Sequence, residues 1–388
     1  MIIDPYSNLH LYGHYKVGNN IYYSKIDAMA DHVKSSNPIT WHIMEDELKE
    51  LNITVEPTET LEELYAERAR KIRERYDYIV IHFSGGTDSS KVVDIFYRNG
   101  IKVDEIFHRT YSRIERKNAA LTLGDPEAVE PEVLTNPRLD FIKTKLWPDV
   151  NIRQLDISQD MIQSFNKGNW FEEGKPPGTE ILAPWRQDWE ISVPEWLKMA
   201  DKGIKIGHII GKDKPLVYKD KIGYYITFID NIVNSWIMPK KKFAGYPSYK
   251  EFFFTHPESA KIIVKQAHLL KKNLSDQEWL FDHHRHTMTR KRENIIADVI
   301  YGETVFKNNT TTLKDGDREI PFNLGRMTSG TGWWITKDFK SEQFKHYSAG
   351  LRDMYSEIKP FYENFIDFYQ KGLPKFLTKK HYISYHNV

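Results

Sequence analysis

The residues with the clearest chemical potential form one short polar stretch directly after an apolar run. The stretch is Ser84-Gly85-Gly86-Thr87-Asp88-Ser89-Ser90. Adjacent glycines allow positive φ angles, which bring successive backbone N–H groups close together. A group of amides at the start of a helix binds an anion through hydrogen bonds and the helix dipole. Hydroxyl groups in the stretch add further donors. The predicted phosphate-binding set is Ser84, Gly85, Gly86, Thr87, Ser89 and Ser90.

Asp88 does not suit a plain anion site, because a carboxylate repels phosphate. Its presence makes sense if Mg²⁺ lies between the carboxylate and a polyphosphate, so we predict Asp88 as a metal ligand and a catalytic residue. The stretch lacks the Gly-Lys-Ser/Thr ending of a Walker A loop and the G-x-G-x-x-G pattern of dinucleotide-binding loops. A glycine turn with small capping residues is the competing interpretation. The seven residues together, between an apolar run and a helical pattern, favour the phosphate loop.

A second polar segment, Gly211-Lys212-Asp213-Lys214-Pro215, follows the apolar run Ile204 to Ile210. If that run is a strand, the segment lies at the carboxyl edge of the sheet, where open α/β folds bind ligands. Lys212 or Lys214 could then act as a catalytic residue that stabilises phosphate charge, and Asp213 could hold a second Mg²⁺. A charged turn before a hairpin is the alternative. Which lysine points inward stays open.

The hydrophobic pattern places these segments in a parallel sheet. Tyr78 to Phe83 is nearly all apolar, which is typical of a strand buried on both faces. A helical pattern follows the glycines, and a second strand is predicted from Ile101 to Phe107. Strand, turn, helix and strand make one βαβ unit. Asn151 to Asp156 and Ile204 to Ile210 add two strands. The predicted fold class is α/β, with an open parallel twisted sheet.

The regions on either side of this sheet have different patterns. A β-hairpin is predicted around Gly18-Asn19-Asn20, another hairpin turns at Lys221-Ile222-Gly223, and helical periodicity dominates from about Trp236 onward. We therefore predict three regions: an N-terminal hairpin and helix segment over 1–57, an α/β domain with the phosphate loop over 58–235, and a mostly helical C-terminal domain over 236–388.

Composition excludes several classes of protein. The chain has 55 Lys and Arg against 54 Asp and Glu, so it lacks the overall basic excess of a dedicated nucleic-acid binder. It has no cysteine, which excludes disulfides, thiolate zinc sites, iron–sulfur clusters and a cysteine nucleophile. No signal-peptide pattern and no apolar stretch of ~20 residues is present. We expect a cytoplasmic protein with no membrane partner.

The segment Phe83 to Ser89 resembles the SGGxDS loop of the N-type ATP pyrophosphatases, the PP-loop superfamily. That superfamily includes asparagine synthetase, NAD and GMP synthetases, PAPS reductase and tRNA-thiolating enzymes. The sequence flanking the loop is most similar to asparagine-synthase-like proteins that lack a glutaminase domain. The resemblance covers residues 60–230 and implies a fold of the HUP, or adenine nucleotide alpha hydrolase-like, type. It also implies ATP and Mg²⁺ as cofactors and an adenine-facing edge at Phe107-His108-Arg109, with Phe107 and His108 in the binding set.

The absence of cysteine narrows what the resemblance implies. Glutamine hydrolysis by an N-terminal cysteine, PAPS reduction and the cysteine-dependent subclasses are excluded or disfavoured. An adenylating ligase is the leading hypothesis: the enzyme cleaves ATP to AMP and pyrophosphate, and activates a carboxylate or amide oxygen for attack by ammonia or an amine. The acceptor would be a small molecule or a nucleic acid, with a separate amine donor. The alternatives are a PP-loop enzyme that modifies a base in tRNA or DNA, and a nucleotide-binding module without turnover.

Three further groups of residues have both a functional and a structural interpretation. Asp282-His283-His284-Arg285-His286 could hold a metal, although a surface histidine cluster is favoured. Met327 to Trp334 could form a lid or a stacking surface, or an ordinary turn. The tryptophans Trp170, Trp185 and Trp189 could line a pocket or belong to the core.

Overall fold

The computed structural model describes residues 13–110, 134–156, 193–211, 215–230, 248–282, 290–306, 313–315, 318–320 and 342–386. The first elements form a three-stranded antiparallel sheet in the order β2-β1-β3. Strands β1 (His14–Val17) and β2 (Asn20–Tyr22) are the hairpin predicted around Gly18, and β3 (Ile39–His42) pairs with the other edge of β1. The N-terminal hairpin prediction is confirmed.

Within the described residues, five parallel strands form the central sheet. They are β4 (Tyr78–His82), β5 (Glu105–Thr110), β6 (Asn151–Asp156), β7 (Ile206–Ile210) and β10 (Ser248–Phe252). Their order across the sheet is β10-β7-β4-β5-β6. Val80 of β4 pairs with Glu105 on one side and His208 on the other. The sheet confirms the predicted α/β class with parallel strands.

The described helices are interspersed with the strands along the chain. They are α1 (Lys25–Ser35), α2 (Glu45–Glu50), α3 (Leu61–Arg75), α4 (Thr87–Arg98), α5 (Asn136–Phe141), α6 (Pro194–Asp201), α7 (Ala260–Leu274), α8 (Arg290–Tyr301), α9 (Glu342–Ile358) and α10 (Phe365–Lys371). A π-helical turn, Ile142–Leu146, continues α5, and short 3-10 turns span Pro257–Ser259, Glu278–Phe281 and Lys359–Phe361. In the parts of the chain that the structure describes, no helix is long and apolar enough to cross a membrane.

Helices cover both faces of the central sheet, which explains the apolar sequence of β4. Successive side chains of a strand point to opposite faces. Ile79 and Ile81 belong to the main core together with Val92 of α4, whereas Val80 packs in a separate cluster with Trp196 of α6. The strand is therefore buried on both faces, as its sequence predicts.

An antiparallel sheet and a short hairpin complete the described strands. Strands β8 (Leu216–Lys219), β9 (Gly223–Thr227) and β13 (His381–Tyr385) have the order β13-β9-β8. The turn between β8 and β9 confirms the hairpin predicted at Lys221 to Gly223. Strands β11 (Leu313–Asp315) and β12 (Arg318–Ile320) pair with each other.

Two strands of the central sheet differ from the sequence prediction. The pattern predicts the second strand at Ile101 to Phe107, but β5 begins at Glu105 and continues to Thr110, because its polar end still pairs with β6. Strand β10 lies beyond the boundary predicted at residue 235, in the region expected to be mostly helical. One cluster of buried apolar side chains joins Tyr15, Ile81 and Ile263, so the three predicted regions share a hydrophobic core.

Candidate active site

The phosphate loop, which is the segment Ser84 to Ser90, lies where the strand order of the central sheet reverses. From β4 the chain proceeds to β5 and β6 on one side, and then to β7 and β10 on the other side. The loop leaves the carboxyl end of β4 and leads directly into α4. In open α/β sheets, ligands bind outside the carboxyl ends of the strands at this point of reversal. The ligand-binding role of the loop stays a prediction, and the structure gives only its position in the sheet.

The two glycines of the loop have different backbone requirements. Gly85 has φ +79°, which L side chains rarely adopt, and a Cβ there would lie 2.7 Å from Thr135 Oγ1. Gly86 is the N-cap of α4, with φ −70° and ψ 172°, and it provides no side chain to cap the helix. The first backbone N–H groups of a helix have no intrahelical acceptor. The loop therefore presents the amide-rich, positive end of the α4 dipole.

Hydrogen bonds between Ser84, Gly86 and Ser89 close the loop on itself. The Gly86 N–H donates to Ser84 Oγ at 3.2 Å, and the Ser84 N–H donates to Ser89 Oγ at 3.3 Å. The two serine hydroxyls lie 3.2 Å apart, and Ser89 Oγ donates to the Gly86 carbonyl oxygen at 3.2 Å. A phosphate oxygen that binds the Gly86 amide would therefore replace the hydroxyl of Ser84 as acceptor.

The remaining loop residues divide into accessible and buried groups. Ser84 and Thr87 are exposed and Asp88 is half-buried, so all three can meet a ligand from solvent. Ser90 is only 1% exposed, and its hydroxyl donates to the Gly85 carbonyl oxygen at 3.4 Å. The structure thus places Ser90 behind the loop, in contact with its backbone.

Two residues that the sequence did not single out contact the loop: Thr135, the N-cap residue of α5, and Arg138 within that helix. Thr135 Oγ1 donates to the Ser84 carbonyl oxygen at 2.8 Å. The Arg138 guanidinium group donates to the Gly85 carbonyl oxygen at 2.5 Å and to Ser90 Oγ at 3.0 Å. These residues are about fifty positions from the loop, with separations of 51 and 53 for the carbonyl contacts. No local pattern could reveal the contact, although Asn136-Pro137 marks a helix start.

The predicted adenine-facing residues lie inside β5 rather than at its end. Phe107 is 1% exposed and makes edge-to-face contacts with Trp196 and His82, at centroid distances of 5.1 and 5.2 Å. Its side chain belongs to the buried cluster on the α6 face of the sheet. His108 lies next to the loop, because its Nδ1 is 2.9 Å from the Phe83 carbonyl oxygen. His108 is thus the member of the pair that adjoins the phosphate loop.

The second predicted segment begins against the first turn of α4. A Cβ on Gly211 would lie 2.7 Å from the Asp88 carbonyl oxygen and 2.8 Å from Val92 Cγ2. The end of β7 therefore approaches the start of α4 within backbone contact. Lys212, Asp213 and Lys214 lie outside the described residues, as do His283 to His286, Met327 to Trp334 and the tryptophans Trp170, Trp185 and Trp189.

Asp88 is the predicted metal ligand that lies within the described residues. Mg²⁺ commonly takes one or two carboxylates and completes its octahedron with phosphate oxygens and water. Asp88 is a half-buried carboxylate in the first turn of α4, beside the amides of the loop. Within the described ranges, no group of three or more His, Asp or Glu side chains could hold a metal ion. Asp88 could therefore act as one such carboxylate if a ligand brings the phosphate oxygens.

In comparisons with known proteins, no protein-family model matches the chain, and no curated protein matches it significantly.

Proposed function

We propose that this protein is an adenylating enzyme of the PP-loop type, which cleaves ATP to AMP and pyrophosphate. The observation that carries the proposal is the position of Ser84-Gly85-Gly86-Thr87-Asp88-Ser89-Ser90: it joins the carboxyl end of β4 to the start of α4, at the reversal of strand order. The order β6-β5-β4-β7-β10 also supports the finer fold assignment, an open sheet of the HUP type.

The loop suits pyrophosphate because its donors are numerous and close together. The amides of Gly85 and Gly86 and the exposed hydroxyls of Ser84 and Thr87 can surround several phosphate oxygens. Preorganised donors favour a reaction in which negative charge develops on the group that they hold. Pyrophosphate gains such charge when it leaves the α-phosphorus, so this loop would accelerate cleavage between the α- and β-phosphates.

In the proposed reaction, an oxygen of the acceptor attacks the α-phosphorus of ATP. The bond to the bridging oxygen of the β-phosphate breaks, and pyrophosphate leaves with that electron pair. Ammonia or an amine then attacks the activated carbon and displaces AMP. Asp88 would hold Mg²⁺, which neutralises phosphate charge when bound. Lys212 or Lys214 would stabilise charge on the α-phosphate, and Asp213 would provide a second carboxylate for metal binding.

The resemblance of the loop and the composition of the chain together suggest the nitrogen donor and the acceptor of the proposed reaction. Without cysteine the chain cannot release ammonia from glutamine by a cysteine nucleophile, so free ammonia, an amine or a separate donor protein must provide the nitrogen. A carboxylate or an amide oxygen is the acceptor that such chemistry activates. The proposed enzyme is therefore an AMP-forming ligase that resembles asparagine synthetase in its reaction.

Product analysis tests this function directly. Purified protein is incubated with α-³²P-ATP, Mg²⁺ and ammonia, together with panels of amino acids, nucleobases and RNA. We expect labelled AMP and an equal amount of pyrophosphate, dependent on one acceptor class. An Asp88→Asn preparation, purified identically, controls for contaminating ATPases.

Formation of ADP and phosphate alone would reject the assignment, and dependence on RNA would favour the base-modifying alternative. ATP binding without any turnover in all panels would favour a nucleotide-binding module.

A further inference from the structure

The N-terminal end of α5, together with its N-cap residue Thr135, holds the phosphate loop through two carbonyl groups. Thr135, which is fully buried, donates to the Ser84 carbonyl oxygen at 2.8 Å, and Arg138 donates to the Gly85 carbonyl oxygen at 2.5 Å. Arg138 also reaches Ser90 Oγ at 3.0 Å. These three hydrogen bonds join the loop to a helix that follows it by about fifty residues, with separations of 51, 53 and 48. The backbone of the loop is therefore held from outside the βαβ unit that contains it.

The direction of these hydrogen bonds determines where the loop amides point. In a planar trans peptide unit, the C=O and N–H groups point in opposite directions. The Ser84 carbonyl shares its unit with the Gly85 amide, and the Gly85 carbonyl shares its unit with the Gly86 amide. Because Thr135 and Arg138 bind the two carbonyl oxygens, the two amides face away from α5. The Gly86 amide indeed faces Ser84 Oγ, at 3.2 Å.

Arg138 is itself held in a fixed orientation. Its guanidinium carbon lies 5.5 Å from the centre of the Phe306 ring, a cation–π contact. Phe306 is fully buried and packs against Phe83 at 5.8 Å and Phe141 at 5.9 Å. Phe83 links β4 to the loop, and Phe141 is the last residue of α5. A buried aromatic contact thus supports the arginine that contacts the loop.

The contact also brings a positive charge to the site. A guanidinium group stays protonated throughout the physiological pH range and forms short, charge-assisted hydrogen bonds. Bound to the Gly85 carbonyl, it lies on the opposite side of the peptide unit from the Gly86 amide and polarises that unit. The charge also adds to the positive end of the α4 dipole. Both effects strengthen the attraction of the loop for an anion.

We propose that Thr135 and Arg138 are positioning residues, which orient the amides of Gly85 and Gly86 toward pyrophosphate and raise the affinity of the loop for it. This inference rests on the proposed function, because it assigns the loop an anionic ligand. It goes further by making α5 part of the site. It also explains why residue 85 is glycine, because the side chain of Thr135 occupies the space that a Cβ there would need.

Calorimetric titration with sodium pyrophosphate, which requires no catalysis, tests the inference. The set comprises the wild-type protein and Arg138→Gln, Arg138→Lys, Thr135→Val and Thr135→Ser. We expect Arg138→Gln to weaken binding by about tenfold or more and Arg138→Lys to restore part of it, because lysine keeps the charge but not the planar fork. Thr135→Val should weaken binding about fivefold, whereas Thr135→Ser keeps the hydroxyl and the affinity.

Lys143→Gln is the matched control for loss of charge. Lys143 lies on the π-helical turn after α5, and its Nζ donates to the Val150 carbonyl oxygen at 2.8 Å, away from the loop. It should bind pyrophosphate as the wild type does. Thermal unfolding of each variant is measured in parallel. If Arg138→Gln does not fold, Arg138→Lys and the two Thr135 variants decide the question.

Different results would overturn the positioning role of Thr135 and Arg138 and the proposed function. A lower melting temperature with unchanged pyrophosphate affinity in the Arg138 and Thr135 variants would reduce both residues to structural roles and overturn the inference alone. The proposed function would then still hold if the wild type forms AMP and pyrophosphate from ATP. If the wild type binds neither pyrophosphate nor ATP, the proposed function and this inference both fall.

Discussion

Gly211 lies so close to Asp88 that a methyl group on its Cα would be 2.7 Å from the Asp88 carbonyl oxygen. The contact joins the residue after β7 to the first turn of α4, which the last four residues of the phosphate loop form. Strands β4 and β7 are adjacent in the sheet, at the reversal of strand order. Only a residue without a side chain permits this approach. Gly211 therefore ties the second predicted segment to the loop.

The first prediction concerns the substitution Gly211→Ala. The new methyl group would meet backbone atoms of Asp88 and the Val92 side chain, and overpacking of this kind costs about 1–3 kcal/mol. Urea unfolding should show that loss. Displacement of the α4 start should also weaken ATP binding, which calorimetry measures.

Gly100→Ala is the control for this substitution. Gly100 has φ +62°, and a Cβ at this position would meet nothing within 4 Å, so alanine there adds backbone strain without a clash. We expect a loss of about 1 kcal/mol with unchanged ATP affinity. Equal effects of the two variants on ATP affinity would show that the contact between Gly211 and Asp88 has no specific role in ATP binding.

The second prediction compares the two loop glycines. Alanine at residue 85 needs a φ of +79° and would clash with Thr135, so Gly85→Ala should cost about 2 kcal/mol of stability and abolish tight ATP binding. Alanine at residue 86 meets only Ser84 Oγ, at 3.3 Å, and φ there is −70°. Gly86→Ala should therefore fold with a smaller loss. Melting temperature and ATP affinity check both variants, and an equal loss at the two positions would contradict the assigned backbone roles.

Local patterns predicted much of the α/β core. Strand β4 is recognisable because burial on both faces requires a continuous apolar run. The helix α3 begins where Thr60 and Glu63 form a capping box, a signal within four residues. Strand β6 matches its predicted bounds, and both hairpins turn at glycine-containing segments. In each case, neighbouring residues determine the backbone conformation.

Features set by distant contacts could not be predicted in the same way. Thr135 and Arg138 reach the loop only because the fold brings α5 to it. Strand β10 joins the sheet edge through pairing with β7, in a region whose periodicity suggests helices. The end of α9 is different, because a local signal marks it: the helix stops at Ile358, since Pro360 in the 3-10 turn that follows cannot continue the hydrogen-bond ladder.

The third prediction concerns the pH dependence of stability. Burial would raise the pKa of Glu251, but the charge of Arg68, the Tyr76 hydroxyl and the charge of Arg75 outweigh it and hold the pKa below its ordinary value of 4.5. A carboxyl group with a lowered pKa in the folded state stabilises the protein fully above its unfolded pKa. That contribution is lost as the pH falls through the folded pKa. The network should therefore weaken below pH 4.5.

The variant Glu251→Gln tests this pH dependence. Arg68 is 1% exposed and lies 2.6 Å from both Glu251 Oε2 and Glu258 Oε2. Removal of the Glu251 carboxylate leaves the buried guanidinium with the partly exposed Glu258 as its remaining ion-pair partner in this network, and should cost about 2 kcal/mol at neutral pH. The difference from the wild type should be smaller at a pH below 4.5, because the stabilising contribution of the wild-type carboxylate is lost as the pH falls through its lowered pKa. Urea unfolding at both pH values measures it. Glu278→Gln, at an exposed carboxylate paired with Lys219, is the control and should change little. A difference that is independent of pH would contradict the assignment.

The last prediction concerns the role of Asp88. If its carboxylate holds Mg²⁺ on the leaving pyrophosphate, Asp88→Asn keeps the size of the side chain but removes the charge. AMP release should fall by about 100-fold or more, because charge on the leaving group is no longer neutralised. ATP should still bind through the loop amides and hydroxyls. Metal-free ATP should bind slightly tighter, and Mg²⁺ should enhance binding less than in the wild type.

A structural role for Asp88 makes a different prediction from the same preparation. Asp88 is the acidic residue in the first turn of α4, where a negative charge stabilises the helix dipole. If that were its whole role, Asp88→Asn would lower the melting temperature and leave AMP release unchanged. Asp27→Asn, in the first turn of α1, removes an equivalent charge away from the site and calibrates that effect. Melting temperature, magnesium-dependent ATP affinity and AMP release are measured on the same preparation. A variant with a lower melting temperature and normal AMP release would show that Asp88 only stabilises the helix.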